Sequence, residues 1–234
     1  MSASRLKGKP LLEINNLPII CHVVAKAKMT GIGEVVVATE DKEIIFEVEK
    51  NGGRAILTGK HNTGTDRIFE AFQKLKIKNV DFVLNLQGDE PMIDSKDIVN
   101  LNNLMVKNNF DIGTLAAEIK QQEMLNNESV VKVITKQKLE NNNFTEALNF
   151  SRKDISNKNY NIYHHIGIYC YKVSALEQFV KLNQSKNEIK NQLEQLRAIS
   201  NGIEINVALA KFSPIGVDTK EDYLELKKIM EYKH

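Results

Sequence analysis

Apolar residues recur at helical spacing through IICHVVAKAKM, from Ile19 to Met29, with Pro18 before the run and Gly31 and Gly33 after it. That spacing predicts a helix with a definite start and stop. EVVVAT is short, apolar and β-branched and reads as a buried strand. DKEIIFEVEKNGG returns to helical periodicity, with Gly52 and Gly53 as the stop, and AILT is a second strand. The alternation continues: DRIFEAFQKLK is an amphipathic helix, DFVLNLQ a strand, DSKDIVNLNNLMVKN a helix and DIGTLAAEI a strand. Strands alternating with helices of about 10–15 residues predict right-handed crossovers and a mainly parallel sheet.

After about Glu118 the rhythm changes. VVKVITK, the polar turn LENNN and TEALNFS read as a hairpin, and HHIGIYCYKV as a further strand rich in β-branched and aromatic residues. Two helices follow, SALEQFVKL and EIKNQLEQLRAI, then strand INVALAKF and a last helix TKEDYLELKKIMEY. The expected organisation is an α/β part over residues 1–118, a β-rich antiparallel insert over 119–173, and a C-terminal part over 174–234 that completes the α/β domain.

Composition narrows the partner. The 234 residues are 42% hydrophobic, enough for one main core, and the formal net charge is only +2. Lysine and arginine are spread along the chain, which gives no argument for nucleic acid and points to a small-molecule partner. The two cysteines, Cys21 and Cys170, are far apart and lack metal spacing. No signal peptide or bilayer-length apolar run is evident, so a reduced cytoplasm and no membrane are expected.

Chemistry concentrates where the strand DFVLNLQ ends in GDEP. In open sheets ligands bind beyond the carboxyl ends of strands, and Asp89 stands at such an end. Asp218, in SPIGVDTKEDY, follows another glycine-bearing turn at the mouth of the last helix, where it or Thr219 is a natural N-cap. If they converge, the two carboxylates suit a hard divalent cation that keeps waters and phosphate oxygens. The opening SASRLKGKPLL offers Arg5, Lys7 and Lys9 around Gly8, a cationic loop that can wrap an anion without being a Walker A motif. HNTGTDR, from His61 to Arg67, places small polar residues ahead of a helix, and its plainest reading is a capped turn with Thr65 as N-cap.

In this order, RLKGKPLL, INNLPII, VVVATED, NGGRAILTGKHNTGTDR, LNLQGDEPMI, VVKVI, NFSR, HHIGIYCYK, LEQLR and GVDTKED resemble the 3-deoxy-manno-octulosonate cytidylyltransferases, also called CMP-Kdo synthetases. The resemblance covers nearly the whole chain. It implies a Rossmann-like nucleotidyltransferase domain with a small β-rich part used for dimerisation, a homodimer, CTP and Kdo as substrates, and magnesium. It further implies that Arg5 and Lys9 hold the triphosphate, that Asp89 and Asp218 hold magnesium, and that Gly64, Thr65 and Arg67 line the cytidine end. The sugar pocket then maps to Gln87, Arg152, His165, Tyr169, Glu194 and Gln195, with Arg152 pairing with the sugar carboxylate.

Departures from the family pattern are specific. The family begins with a strand ending in Ile-Pro-Ala-Arg before the basic loop, whereas this chain opens Met-Ser-Ala-Ser-Arg, so the first strand and its arginine are missing from the N-terminus. A chain so truncated is expected to be poorly stable and weakly active, with an upstream extension restoring both. Asp66 replaces a glutamate, His164 replaces an arginine, the chain has no tryptophan, and the insert is shortened around 157–161. The alternatives are a cytidylyltransferase for 8-amino-Kdo or a sialic-type acid, and a nucleotide-binding protein with little turnover.

Overall fold

Asn15 and Asn16 both take positive φ, 52° and 59°. A two-residue primed turn needs such values, and asparagine tolerates the left-handed region better than most residues. The computed structural model, which describes residues 6, 8–155 and 160–232, therefore has an early hairpin, β1 (Glu13–Ile14) and β2 (Leu17–Pro18). The sequence reading took only Pro18 from this stretch, as a helix opener. Two asparagines between apolar pairs were the signal for the turn.

From Pro18 the chain enters α1 (Ile19–Met29), then β3 (Val37–Thr39), α2 (Lys42–Lys50), β4 (Ala55–Leu57), α3 (Gly64–Leu75) and β5 (Phe82–Asn85). Next come α4 (Ser95–Asn108), β6 (Ile112–Ala117), a short α5 (Glu123–Asn126), β7 (Lys132–Thr135), β8 (Phe144–Ser151) and β9 (Asn161–Lys172). The chain closes with α6 (Val173–Phe179), α7 (Lys186–Asn191), α8 (Leu196–Ser200), β10 (Asn206–Leu209) and α9 (Lys220–Glu231). Among the described residues, no helix is long and apolar enough to cross a membrane.

The elements gather into two compact units. The first is built from segments within 6–78, 86–98 and 214–232. Here β3 and β4 pair in parallel, Val37 opposite Ala55, and α9 packs on the early hairpin. Ile14, Ile19, Val217 and Leu226 form a closed cluster, and the Tyr223 hydroxyl donates to the Glu13 carbonyl at 2.7 Å. Thus the first strands and the last helix share one core.

The second unit holds residues 79–85 and 99–213 around a six-stranded sheet of order β5-β9-β6-β10-β8-β7. The expectation of a mainly parallel sheet is corrected here. Only β6 and β10 run parallel, and the other five pairings are antiparallel. The reason is β9, whose twelve residues lie between β5 and β6 and pair with both. A sequence rhythm of strand, helix and strand reports which strands are successive, not which are neighbours. Strand β9 also carries an irregularity: Thr114 faces Tyr169 but Leu115 faces Ile166, so Gly167 and Ile168 are extra residues on β9. Such bulges re-aim side chains.

Candidate active site

In the first unit Lys9 and the two carboxylates meet. Gly8 takes φ 70°, a left-handed value that glycine adopts at little cost, and the chain turns there into a 3-10 segment led by Lys9. At Gly88 an added Cβ would come within 2.9 Å of Ile20 Cδ1 on α1, the end of a side chain that can move aside. Beyond β5 the Val217 N–H donates to the Asp89 carbonyl at 3.2 Å, tying the second carboxylate loop beside the first. The N-cap of α9 is Thr219, not Asp218. The Thr219 hydroxyl accepts from the Asp222 amide, while Asp222 accepts from the amides of Thr219 and Asp218. The Asp218 carboxylate is therefore released from capping and stands toward Lys9.

The Lys9 ammonium pairs with Asp89 and, at 3.0 Å, with Asp218. Two carboxylates held by one ammonium lie at most about 6 Å apart, within reach of a shared ion after a small side-chain adjustment. Burial works against the charge on Lys9, but Asp89 and then Asp218 outweigh it, and its pKa is raised. Glu90 is the residue that sequence reasoning passed over. Burial first, then the negative charges of Asp89 and Asp218, push its pKa to about 8 despite Lys9, so it is mostly protonated at neutral pH. With Glu90 neutral, two carboxylates face one ammonium, and the net negative charge invites a further cation. Among the described residues there is no group of three or more His, Cys, Asp or Glu side chains placed for a metal. Two carboxylates completed by water and phosphate oxygens remain a normal magnesium environment.

The HNTGTDR segment opens α3. Its N-cap is Thr63, which accepts from the Asp66 amide and donates to the Asp66 carboxylate, so the expected Thr65 cap is corrected: Thr65 lies buried in the first turn beside Gly64. Glu70, one turn after Asp66, fastens the preceding loop by accepting from the Gly59 amide and from His61. Lys74 first, then His61 and Gly59, bring its pKa down to about 2. Arg67 Nε and Thr58 Oγ1 are buried without a hydrogen-bond partner among the described residues. Buried polar atoms of this kind are where a ligand completes a site. Arg5 and Lys7 lie outside the described residues.

The second unit carries the expected sugar residues except Gln87, which is exposed in the loop after β5. On either side of the bulge in β9, His165 and Tyr169 face each other with ring centroids 5.5 Å apart. Tyr169 stacks on Tyr171, which meets Phe179 at a tilt of 49°, and Arg197 lies over the Phe179 ring at 4.8 Å. The Thr114 hydroxyl donates to the Ile168 carbonyl at 2.7 Å and leaves its oxygen to accept from His165 Nε2 at 3.1 Å. The Tyr169 hydroxyl is buried, and burial, Tyr171 and Glu194 raise its pKa well above 10.

Glu194 and Gln195 are not on a helix face. The single helix expected over EIKNQLEQLRAI is two helices, α7 and α8, because Gln192 turns left-handed with φ 52°. Gln195 and Arg197 are buried, which excludes a solvated helix face. A buried pair holds this turn: Arg197 donates through Nε and Nη2 to both oxygens of Glu188, at 3.0 and 2.6 Å. Neither Glu188 nor the buried Lys132 was singled out from the sequence. Arg152 follows β8 and donates through Nη1 to the Glu128 carbonyl at 3.2 Å.

Burial pushes His165 down to about 3, with His164 adding to it, and burial and Lys132 push His164 to about 4. Both pKa values are depressed below 6.5, so between pH 6.5 and 4 only the unfolded chain takes up these protons, and stability falls as pH falls. At pH 5 the loss is expected to be about 2 kcal/mol for each histidine. Thermal melting from pH 7 to 5 checks it: His164→Asn should remove about half of the histidine contribution, and an unchanged slope would refute the assignment.

The cytidylyltransferase family model matches residues 1–205. A 3-deoxy-manno-octulosonate cytidylyltransferase of Thermodesulfovibrio yellowstonii is 44% identical, over 94% of this chain and 91% of its own length. The protein of that name from Nitrobacter winogradskyi is 40% identical, over 98% and 91%. The solved structure of a CMP:2-keto-3-deoxy-manno-octonic acid synthetase complexed with CTP superposes with TM-score 0.87 at 34% identity, covering 99% of this chain and 95% of that one. An apo UDP-glucose pyrophosphorylase shares the fold at 15% identity, with TM-score 0.70 over 100% and 96% of the two chains. With the ordered motifs and the paired aspartates in place, the chain belongs to the 3-deoxy-manno-octulosonate cytidylyltransferases, within the cytidylyltransferase family.

Proposed function

We propose that this chain transfers CMP from CTP to the anomeric hydroxyl of Kdo, giving CMP-Kdo and pyrophosphate for lipopolysaccharide biosynthesis, and that it does so as a homodimer. The observation that carries the reading is the Lys9 ammonium held between Asp89 and Asp218. Nucleotidyl transfer asks for position and charge: the sugar oxygen must stand in line with the α-phosphorus while negative charge gathers on the departing pyrophosphate. Lys9 supplies a fixed positive charge for that group, with Arg5 assigned the same task. Asp89 and Asp218 would hold magnesium, whose all-oxygen preference they fit. Bound there, the ion would neutralise phosphate charge and acidify a coordinated hydroxyl. Gly64, Thr65 and Arg67 receive the cytidine end, and the unpartnered Arg67 Nε supports that role. Gln87, His165, Tyr169, Glu194 and Gln195 bind sugar hydroxyls, and Arg152 takes the sugar carboxylate through a planar, bidentate guanidinium.

Purified protein with CTP, magnesium and one of Kdo, 8-amino-Kdo or N-acetylneuraminate, with pyrophosphate followed, tests the reading. Release with Kdo is expected. Release with either other acid alone would assign a sister specificity, and release with none would leave a nucleotide-binding protein.

A further inference from the structure

Lys132 is among the largest fully buried side chains of the protein, with relative exposure of 0%. It sits in β7 at a three-strand junction, opposite Ser151 of β8 and opposite His164 of β9. A buried ammonium is costly unless every proton is used. Here all three are: Nζ donates to the carbonyls of Asn127 at 3.0 Å, of Val130 at 2.9 Å, and of Arg152. The acceptors are backbone groups, drawn from the loop before β7 and from the residue just after β8. Burial lowers its pKa, while Asp154 and Glu128 offset part of that effect and Arg152 adds to it.

A lysine buried in this way contributes geometry. It fixes the 127–130 loop against the exit of β8, and Arg152 is then held at both ends. Its carbonyl is bound by Lys132, and its guanidinium is bound by the Glu128 carbonyl of that same loop. We infer that Lys132 is a positioning residue for acid-sugar recognition, holding the Arg152 segment in place through backbone carbonyls so that the guanidinium is aimed before the sugar carboxylate arrives. The inference rests on the proposed role of Arg152.

Steady-state kinetics with CTP, magnesium and Kdo test it on Lys132→Met, Lys132→Gln, Arg152→Ala and the double variant Lys132→Met with Arg152→Ala. The C1 carboxamide of Kdo, which lacks the negative charge, serves as a competitive inhibitor. Lys132→Met should raise KM for Kdo about ten- to thirtyfold with KM for CTP within about twofold, since misplacing a bidentate clamp removes oriented binding of the carboxylate. Lys132→Gln should fall between it and the parent, because its amide can still donate to two carbonyls. Carboxamide inhibition should be unchanged, and the double variant should match Arg152→Ala. An unchanged KM for Kdo, an equal weakening of the carboxamide, or full additivity with Arg152→Ala would overturn the inference. If Arg152→Ala itself keeps the parent's preference for Kdo over the carboxamide, the reading of Arg152 falls first and takes this one with it. Melting temperatures of all variants are followed, and if Lys132→Met melts below the assay temperature, Lys132→Gln at reduced temperature carries the same comparison.

Discussion

Asp89→Ala is expected to lower turnover by about a thousandfold or more, equivalent to about 4 kcal/mol of transition-state stabilisation, while changing the melting temperature little. The two halves of this expectation have separate causes. In the proposed reading Asp89 provides one of two carboxylates for the cation that neutralises the triphosphate, and with Asp218 already serving as the other, its loss leaves that cation a single carboxylate. Its stabilising role is small by comparison, because Lys9 keeps Asp218 as a partner and is not left as an unpaired, partly buried charge. Asp218→Ala should behave alike, since the cap of α9 is made by Thr219 and Asp222. Pyrophosphate release and thermal melting on the same preparations check both. Retention of more than about a tenth of parent turnover by Asp89→Ala would contradict the role assigned to it.

Glu188→Ala should have the largest effect on stability. Glu188 and Arg197 are 3% and 2% exposed and share two hydrogen bonds, with Gln184 and the Ser185 amide completing the carboxylate. Removing one partner of such a pair leaves an uncompensated buried charge and costs about 3–5 kcal/mol, which for a chain of this size lowers the melting temperature by about 10 °C. Replacing both, Glu188→Leu with Arg197→Met, should recover much of the loss, because neither desolvated charge then remains. The pair fastens the turn that presents Glu194 and Gln195, so Glu188→Ala should also raise KM for Kdo more than KM for CTP. A melting shift under about 2 °C would show that the pair is dispensable.

Much of this architecture could be read from residue patterns, and the parts that could not share one cause. Helix α1 was found at its observed bounds because its apolar spacing and flanking proline and glycines are local signals. The convergence of Lys9, Asp89 and Asp218 was expected from the ordered motifs, although no spacing along the chain encodes it. Strand direction was misjudged because β9 pairs antiparallel with β6 across about 50 residues, and periodicity carries no information at that range. The break between α7 and α8 was missed because a left-handed glutamine leaves no compositional mark. Glu188, Glu90 and Lys132 were given no role for a related reason: a charged side chain reads as solvent-facing, even inside an apolar strand such as VVKVIT, until the tertiary structure buries it.

The first unit is stitched from chain segments about as far apart as this polypeptide allows, with Lys9 and Asp218 separated by 209 positions. A ribosome releases them in order, so the strands of the second unit emerge before the tail and have time to pair while the opening hairpin waits without its covering helix. The waiting segment shows Ile14 and Ile19 to the cell until Leu226 arrives. Chaperone demand during synthesis should therefore track the delay before the tail emerges, and catalytic competence should appear last, in a single late event.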